Sequence, residues 1–454
     1  MTLCHCLLVF VPVTAALIFL TTRLQVHSFI TLLGAAIALG LGAGVNPGAV
    51  AQGVSQGFGK MLGSTGITII SGLIIGEFLD KTGGAAVISK SLMRYFGKNR
   101  MGLVSAVAGF LVGLPVMCGD TAFIILSPIL SALSAQTGVS QVFLATTLAA
   151  GTYASYKVLP PCPGPLGVIT MLGADLGRML PLTFLMAVAV MGTGVLWAGF
   201  RARKRAACQS PRDDRTAKGE DQGVAGGDVP APQESATRMS AGTALLPIFL
   251  PVVLISVRSL VAGRFALESP ARIWLDFAGN PVVAMPCGVI LAMLMNLRSG
   301  VATMSNWISA GIAKSASIVA IAGAAGALGS VAQLSGIGQV LGESLVHARV
   351  PPVAIPFLLA AILKTAQGSS LMAMFTTSAI ILPLLPRLGL SPEVASLSVI
   401  AGALAVVQVN DSLFWVVTKF ANMDVSEGLK EITAMTLVQS VVAFAFVILV
   451  GLVA

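Results

Sequence analysis

Two segments place chemistry that lipid cannot solvate inside the most apolar parts of the sequence. The first is the proline cluster Pro160–Pro165, and the second is Gln408–Ser412, which contains a carboxylate between an amide and a hydroxyl. An interrupted helix leaves backbone N–H and C=O groups unpaired. Such groups and ionised side chains are costly at membrane depth, because hydrocarbon offers them no hydrogen-bond partners. A helix that starts beyond such a break exposes amide groups and the positive end of its dipole. Together the breaks predict helix ends that bind an anion near the middle of a membrane.

A further polar segment in the C-terminal half combines a cation, an amide and two hydroxyls. Residues 364–370 read Lys-Thr-Ala-Gln-Gly-Ser-Ser within an otherwise apolar region. A lysine suits an acid group, while amides and hydroxyls suit a hydroxylated ligand. We expect the acid group near Pro163–Pro165 and Ser369–Ser370, helped by Lys364. The predicted substrate-binding residues are Pro163, Gly164, Lys364, Gln367, Gly368, Ser369, Ser370, Asn410 and Ser412.

Two carboxylates in these regions are candidates for carrying a proton. Asp120 follows Gly119 between apolar runs, and Asp411 lies in the second break. A carboxylate at the centre of a membrane helix costs about 2.5–3.5 kcal/mol on insertion scales, so neither is expected to face lipid. We therefore predict Asp120 and Asp411 as proton-coupling groups.

Each of these features also has a plain structural interpretation. Asp120 could cap a helix in a wet loop, and Lys364 could extend from a helix end to the membrane interface. The serines could pack helices together, and the prolines could form an ordinary surface loop. The residues alone leave these alternatives open.

The composition is that of a polytopic membrane protein. Of 454 residues, 56% are hydrophobic and 10% are charged, whereas soluble domains carry about 25% charged residues. The mean hydropathy is +0.92. We expect an all-α protein with about ten to twelve transmembrane helices, since a span needs about 20 apolar residues. Apolar runs cover residues 6–21, 28–44, 63–79, 102–117, 180–199, 243–262, 280–297, 315–334, 353–364, 394–407 and 435–453.

Several classes of function are excluded by what the sequence lacks. The net charge of +9 is scattered over short loops without the basic patch of a nucleic-acid-binding protein. The three histidines lie away from the breaks, and no Walker loop for ATP phosphates is present. The six cysteines lack metal-ligand spacing. We expect a protein that is not an enzyme and has no metal or cofactor.

A polar segment divides the chain into two membrane halves. It opens with a basic run at Arg201 and continues to about residue 240, rich in Gly, Pro, Ser and charged residues. Such a segment cannot bury enough apolar surface to fold by itself. We expect residues 1–200 and 241–454 to form the membrane halves, and residues 201–240 to form a disordered cytoplasmic linker.

The two halves align as repeats. The segment from Thr82 matches the segment from Ser335 at an offset of 253 (335 minus 82), and Ala150-Gly151 matches Ala401-Gly402 at an offset of 251 (401 minus 150). The loop with Arg94, Lys98 and Arg100 is basic, but its counterpart is much less so, which favours inverted repeats. Chance alignment of helices rich in glycine and alanine is the alternative.

Six segments taken together resemble the gluconate permease family. The resemblance implies proton symport of gluconate and related sugar or hydroxy acids across a bacterial inner membrane. It also implies inverted repeats with re-entrant hairpins at about residues 115–165 and 367–412. The matching segments are Asp80–Ala85, Gly113–Val116 followed by Asp120, Leu159–Pro165, Ser335–Gly338, Ala366–Ser369 and Asn410–Ser412.

The chain departs from the family pattern at two places. Cys162 stands where the proline motif of the family usually has histidine, and one residue is inserted between Pro115 and Asp120. A neutral thiol does not carry protons as an imidazole does, so coupling would use Asp120, Asp411 or another group. Relatives in this family carry other hydroxy acids and D-serine.

The sequence thus predicts a multi-pass inner-membrane permease that imports a small organic anion with protons. One alternative is coupling to sodium, which hydroxyls, carbonyls and Asp411 could coordinate. Another is a membrane sensor or scaffold that does not transport. The sequence leaves the oligomeric state open, with a homo-oligomer as one option.

Overall fold

A computed structural model defines the helices of this chain and the packing between them. Every regular element among the described residues is helical, as expected where lipid cannot pair with free backbone groups. The described residues are 3–22, 24, 26–83, 101–116, 119, 122–123, 126–127, 130, 134, 137–208, 241–261, 269–336, 350–409 and 411–453.

The N-terminal half is a series of apolar helices, one of which contains a π-helical turn. The turn, Leu62–Gly66, joins α3 to α4 in one continuous helical run. The helices are α1 (Leu3–Thr22), α2 (Ser28–Gly42), α3 (Pro47–Met61), α4 (Ile67–Lys81), α5 (Met101–Val116), α6 (Gln141–Val158), α7 (Pro163–Leu172) and α8 (Leu176–Cys208).

The C-terminal half is also helical and has its own π-helical turn, Leu429–Thr433, before the last helix. Its helices are α9 (Ala241–Val261), α10 (Pro270–Ala278), α11 (Pro281–Met295), α12 (Val301–Leu334), α13 (Ala354–Gln367), α14 (Ser370–Ile381), α15 (Leu385–Leu388), α16 (Pro392–Ala403), α17 (Ser412–Phe420), α18 (Val425–Gly428) and α19 (Ala434–Val453).

Four described helical runs are long and apolar enough to cross a bilayer alone, and they establish a multi-pass membrane protein. They are Pro47–Lys81, Leu176–Arg205, Val301–Leu334 and Val425–Leu452. The pair α10 and α11, bent by 66°, would make a fifth span. The remaining apolar helical stretches, such as Leu8–Leu17 within α1 and Leu246–Ile255 within α9, have 10–17 residues, so the total of ten to twelve spans stays a prediction.

Helix α8 extends further than its apolar run. It continues through Arg201 and Arg205 to Cys208, so the first residues of the predicted linker are helical. Residues 209–240 lie outside the described part of the chain, and the predicted disorder of the linker stays a prediction.

Helix α6 is buried along nearly its whole length, although its sequence is less apolar than the spans. Its threonine hydroxyls bond to carbonyl oxygens one turn earlier, as Thr146 does with Val142 at 2.8 Å. Such bonds satisfy hydroxyl groups without water. The threonines lower the hydropathy of α6 although their hydroxyls are satisfied inside the protein. For this reason the apolar runs of the sequence do not include α6.

Helix bounds in the two halves recur at the offsets seen in the sequence. Helices α2 and α11 start at 28 and 281 and end at 42 and 295, an offset of 253 at both ends. Helices α6 and α16 start at 141 and 392, an offset of 251. These bounds support the proposed repeats, while the inverted orientation and the re-entrant hairpins stay predictions.

The same close contact between neighbouring helices occurs in both halves. A methyl group on Gly151 of α6 would overlap the carbonyl oxygen of Ala106 on α5. A methyl group on Gly402 of α16 would likewise overlap the carbonyl oxygen of Phe357 on α13. Only glycine allows backbones to approach so closely, so these aligned glycines hold corresponding helix pairs together.

Candidate functional site

Three interrupted helices meet where the two halves pack together. Helix α6 ends at Val158 and α7 begins at Pro163. Helix α13 ends before Gly368, whose φ of +77° suits glycine, and α14 follows. Helix α16 ends at Ala403, and α17 starts at Ser412 with Asp411 as its N-cap. The breaks lie where the proline cluster and the polar segments predicted them.

These breaks enclose a cavity of about 400 Å³. This volume lies within the range of about 300–1,000 Å³ that is usual for small-molecule sites. Residues of both halves line it: Gly119, Tyr156, Lys157, Pro163, Gly164, Pro165, Ile318, Gln367, Gly368, Ser369, Ser370, Leu371, Met374, Asp411 and Ser412.

Most of the predicted binding residues line this one cavity. They are Pro163, Gly164, Gln367, Gly368, Ser369, Ser370 and Ser412, joined by the predicted proton carrier Asp411. Two further predicted residues, Asn410 and Asp120, lie outside the described residues. Gly119, the neighbour of Asp120, does line the cavity.

Lys364 does not line the cavity, contrary to the position expected for it. Its side chain is fully buried, and its Nζ donates to Oδ2 of Asp411 at 2.6 Å. The same Nζ donates to the carbonyl oxygen of Gly368. In this conformation Lys364 joins the break after α13 to the break before α17, and it lies behind residues that line the cavity.

Asp411 is held on both of its oxygens. Oδ1 accepts a hydrogen bond of 3.0 Å from the amide of Leu413, in the first turn of α17. Oδ2 accepts the bond from Lys364. A carboxylate at a helix N-terminus that is also paired with an ammonium is stabilised in its charged form.

The cation at the cavity wall is Lys157, which our prediction of binding residues did not include. Its Nζ donates to the hydroxyl oxygen of Ser370 at 2.6 Å and lies 3.7 Å from Oδ2 of Asp411. It also lies over the ring of Tyr153, 4.4 Å from the centroid. The sequence signal for it was a lysine in the last helical turn before a proline break, where a cation complements the helix dipole.

Gln367 brings an unsatisfied amide to the cavity wall. Its Oε1 and Nε2 atoms are both buried, and neither has a hydrogen-bond partner among the described residues. Buried polar atoms are nearly always bonded, and each unmade bond costs about 1–3 kcal/mol. The Gln367 amide thus has an acceptor oxygen and two N–H donors without protein partners in a residue that lines the cavity.

Three helix N-termini face the same cavity and add partial positive charge. They belong to α7, α14 and α17. In the first turn of α7, Pro163 and Pro165 have no N–H group, so Gly164 supplies the amide donor between them. The N-termini and Lys157 together make the cavity suitable for an anion.

Cys162 lies behind the cavity wall. It is fully buried, and its Sγ lies 3.8 Å from the carbonyl oxygen of Leu114. It directly precedes α7 as the N-cap. In the described part of the chain, no group of three or more His, Cys, Asp and Glu residues could hold a metal ion.

A helical membrane protein with a polar cavity between broken helices has the architecture of a membrane carrier. The family model described as GntP family permease matches residues 4–453. The chain therefore belongs to the GntP permease family.

Individual relatives share both sequence and length with this chain. A gluconate permease of Pseudomonas aeruginosa is 32% identical over 446 residues, covering 96% of this chain and 95% of that protein. The D-serine transporter DsdX of Escherichia coli K12 is 30% identical and covers 95% of both chains.

A solved structure shares the fold at low sequence identity. MtrF of Neisseria gonorrhoeae, described within a class of antimetabolite efflux pumps, superposes with a TM-score of 0.64 at 14% identity. The match covers 96% of this chain and 97% of that one.

Proposed function

We propose that this permease imports a small hydroxylated monocarboxylate, such as gluconate, by proton symport across a bacterial inner membrane. The observation that carries the proposal is the cavity of about 400 Å³, where Lys157, Gln367 and three helix N-termini meet. A cation and helix N-termini suit a carboxylate, and an unsatisfied amide suits hydroxyl groups. The helical spans support the inner membrane in this proposal, because bacterial outer membranes hold β-barrels.

The chemistry of the relatives supports this class of substrate. Gluconate and D-serine, named for two relatives of this chain, share a carboxylate and at least one hydroxyl. Gluconate has a longer chain of hydroxyls. The serines and the amide around this cavity would serve such a chain well.

We assign the acid group to the end of the cavity formed by Gly164, Ser369 and Ser370. Gln367, Ser412 and the neighbouring Asn410 would bind hydroxyl groups at the other polar surfaces. Hydroxyl groups donate and accept hydrogen bonds, so they can satisfy both Oε1 and Nε2 of Gln367.

Proton coupling is assigned to Asp411 or Asp120. Asp411 is bonded to Lys364 in this conformation, so taking up a proton would weaken the ion pair between them. A monoanion moving with one proton transfers no net charge. The membrane potential, worth about 2.3 kcal/mol per charge per 100 mV, would then drive uptake only with additional protons.

Uptake by proteoliposomes that contain the purified protein tests this proposal. We expect radiolabelled gluconate to accumulate when an inward pH gradient is imposed, and to equilibrate without accumulation when it is collapsed. Glycerate and D-serine added as competitors rank the substrates. Accumulation driven by a sodium gradient alone would show sodium coupling. Binding of a carboxylate without any uptake would indicate a sensor and overturn the proposal.

A further inference from the structure

Two buried lysines approach the same carboxylate, but they face different surroundings. Lys364 lies 2.6 Å from Oδ2 of Asp411, and Lys157 lies 3.7 Å from the same atom. Their side chains are 0% and 5% exposed. Of the two, only Lys157 lines the cavity, so they cannot serve the same purpose.

The pair of Asp411 and Lys364 is complete without Lys157. Asp411 bonds through one oxygen to Lys364 and through the other to the amide of Leu413. Lys364 has a second acceptor in the carbonyl oxygen of Gly368. These bonds join residues of two separate breaks, so the pair positions the cavity wall.

Lys157 is held in place by groups that leave its ammonium beside the cavity. Its hydrogen bond to Ser370 places Nζ at the first residue of α14, one of the helix N-termini of the site. The rings of Tyr153 and Tyr156 lie 4.4 and 5.3 Å from Nζ, and such faces attract a cation. A carboxylate that enters beside Ser370 would therefore meet this ammonium directly.

We propose that Lys157 binds the carboxylate of the substrate, and that Asp411 competes with that carboxylate for it. When the cavity is empty, Asp411 is a nearby counter-ion of Lys157. When a substrate enters, its carboxylate binds beside Lys157 and the N-terminus of α14 and is repelled by Asp411. This inference rests on the proposed function and names the group that recognises the acid, while Lys364 positions Asp411.

Equilibrium binding of gluconate to the purified full-length protein tests the assignment. Replacing Lys157 with Gln should weaken binding by about 30-fold or more, the scale for truncating one partner of a buried charge pair. Lys157→Arg keeps the positive charge, so its affinity for gluconate should fall much less. The control is Lys314→Gln, which removes a lysine that pairs with Glu77 and does not line the cavity, and it should leave binding unchanged.

Replacing Asp411 with Asn tests the competition. The variant should bind gluconate at least about tenfold more tightly than the wild type, because a like charge near the bound carboxylate is removed. Replacing Asp411 with Asn and Lys364 with Met together removes one charge of each sign, and should also tighten binding. A purely structural role for Asp411 predicts weaker binding in both variants.

The outcomes separate this inference from the proposed function. If the wild type binds gluconate, but Lys157→Gln binds it as well as Lys314→Gln does, Lys157 is not the acid-binding group. Weaker binding by a folded Asp411→Asn protein, judged by its melting midpoint, would refute the competition. If the wild type binds none of gluconate, glycerate and D-serine, the proposed function fails first and this inference with it. If Lys157→Gln does not fold, the gluconate affinities of Lys157→Arg and Asp411→Asn still test the inference.

Discussion

The hydroxyl of Tyr153 donates a hydrogen bond of 2.7 Å to the carbonyl oxygen of Leu404. Tyr153 lies one turn before Lys157 on α6, and Leu404 directly follows α16, where the break before α17 begins. Both residues are fully buried. The bond therefore sets the distance between two breaks that belong to different halves of the chain.

Replacing Tyr153 with Phe should weaken both folding and substrate binding. The change leaves a buried carbonyl without its partner, at a cost of about 1–3 kcal/mol. It also frees the two breaks to shift relative to each other. We expect a lower melting midpoint and a higher Kd for gluconate, measured by thermal unfolding in detergent and by equilibrium binding.

The control for Tyr153 is Ser440→Ala. Ser440 donates a hydrogen bond of 2.8 Å to the carbonyl oxygen of Ala401, within the C-terminal half. Its loss should lower the melting midpoint by a similar amount and leave the Kd unchanged. Equal effects of both variants on the Kd would show that the Tyr153 bond has no special relation to the site.

Replacing Gln367 with Met should weaken binding and leave the empty protein at least as stable. Methionine has a similar size and removes two buried atoms that lack partners, so stability should not fall. A ligand hydroxyl would lose one or two hydrogen bonds, which corresponds to about 5- to 100-fold weaker binding. Melting midpoints with and without gluconate, together with the Kd, measure both effects.

Gln408→Met is the reciprocal control. The amide nitrogen of Gln408 donates to the carbonyl oxygen of Thr365 at 3.1 Å, so this amide already has a protein partner. Its replacement should lower stability while the Kd changes little. A stability loss in Gln367→Met with no change in Kd would contradict the role assigned to Gln367.

Glu431 should contribute more to stability than its neighbour Glu427. Its carboxylate is 2% exposed and accepts hydrogen bonds from Arg201 at 2.8 Å and Arg205 at 3.0 Å. These contacts join α8 to the π-helical turn of the C-terminal half. Glu431→Gln should cost about 1–3 kcal/mol, below the 3–5 kcal/mol of a fully buried pair, because both arginines are partly exposed.

Glu427→Gln removes a carboxylate that pairs with the same Arg205 but is 36% exposed. Solvent screens such a pair, so its loss should cost less than about 1 kcal/mol. Thermal unfolding of both variants at equal ionic strength makes the comparison. Equal melting midpoints for the two variants would show that the burial of Glu431 does not increase the contribution of its ion pairs to stability.

Gly151→Ala should destabilise the N-terminal half, and Gly402→Ala the C-terminal half. The added methyl group would overlap backbone carbonyl oxygens that cannot move aside, and overpacking costs about 1–3 kcal/mol. Gly192→Ala in α8 is the control, because nothing lies within 4 Å of the added methyl group. It should be neutral or stabilising by up to about 1 kcal/mol. Folded yield and melting midpoint report the difference.

Local features of the sequence were sufficient to locate the breaks. A cluster of prolines removes several amide donors at once, so the end of α6 and the start of α7 followed from Pro160–Pro165. Asp411 is the N-cap of α17, in line with the preference of helix starts for aspartate, although we predicted only a proton-coupling role for it from the sequence. Seven predicted binding residues line the cavity for this reason: each lies at a helix end that its own neighbours determine.

Hydropathy was less informative about the positions of buried helices whose polar groups are satisfied inside the protein. The apolar runs do not include α6, because its hydroxyls bond to its own backbone and its surface packs against other helices. Asp120 and Asn410 lie outside the described residues, so their assigned functions stay predictions.

The alignment of the two halves as repeats stays a prediction, but the sequence by itself determined the membrane class, the family and the positions of the breaks. These depend on composition and on contacts between near neighbours. Only the tertiary structure decided which of the two lysines lines the cavity. Lys157 and Lys364 both lie near a helix end, and their neighbours in sequence do not distinguish them. Packing between residues far apart in the chain buries Lys364 against Asp411 and leaves Lys157 beside Ser370.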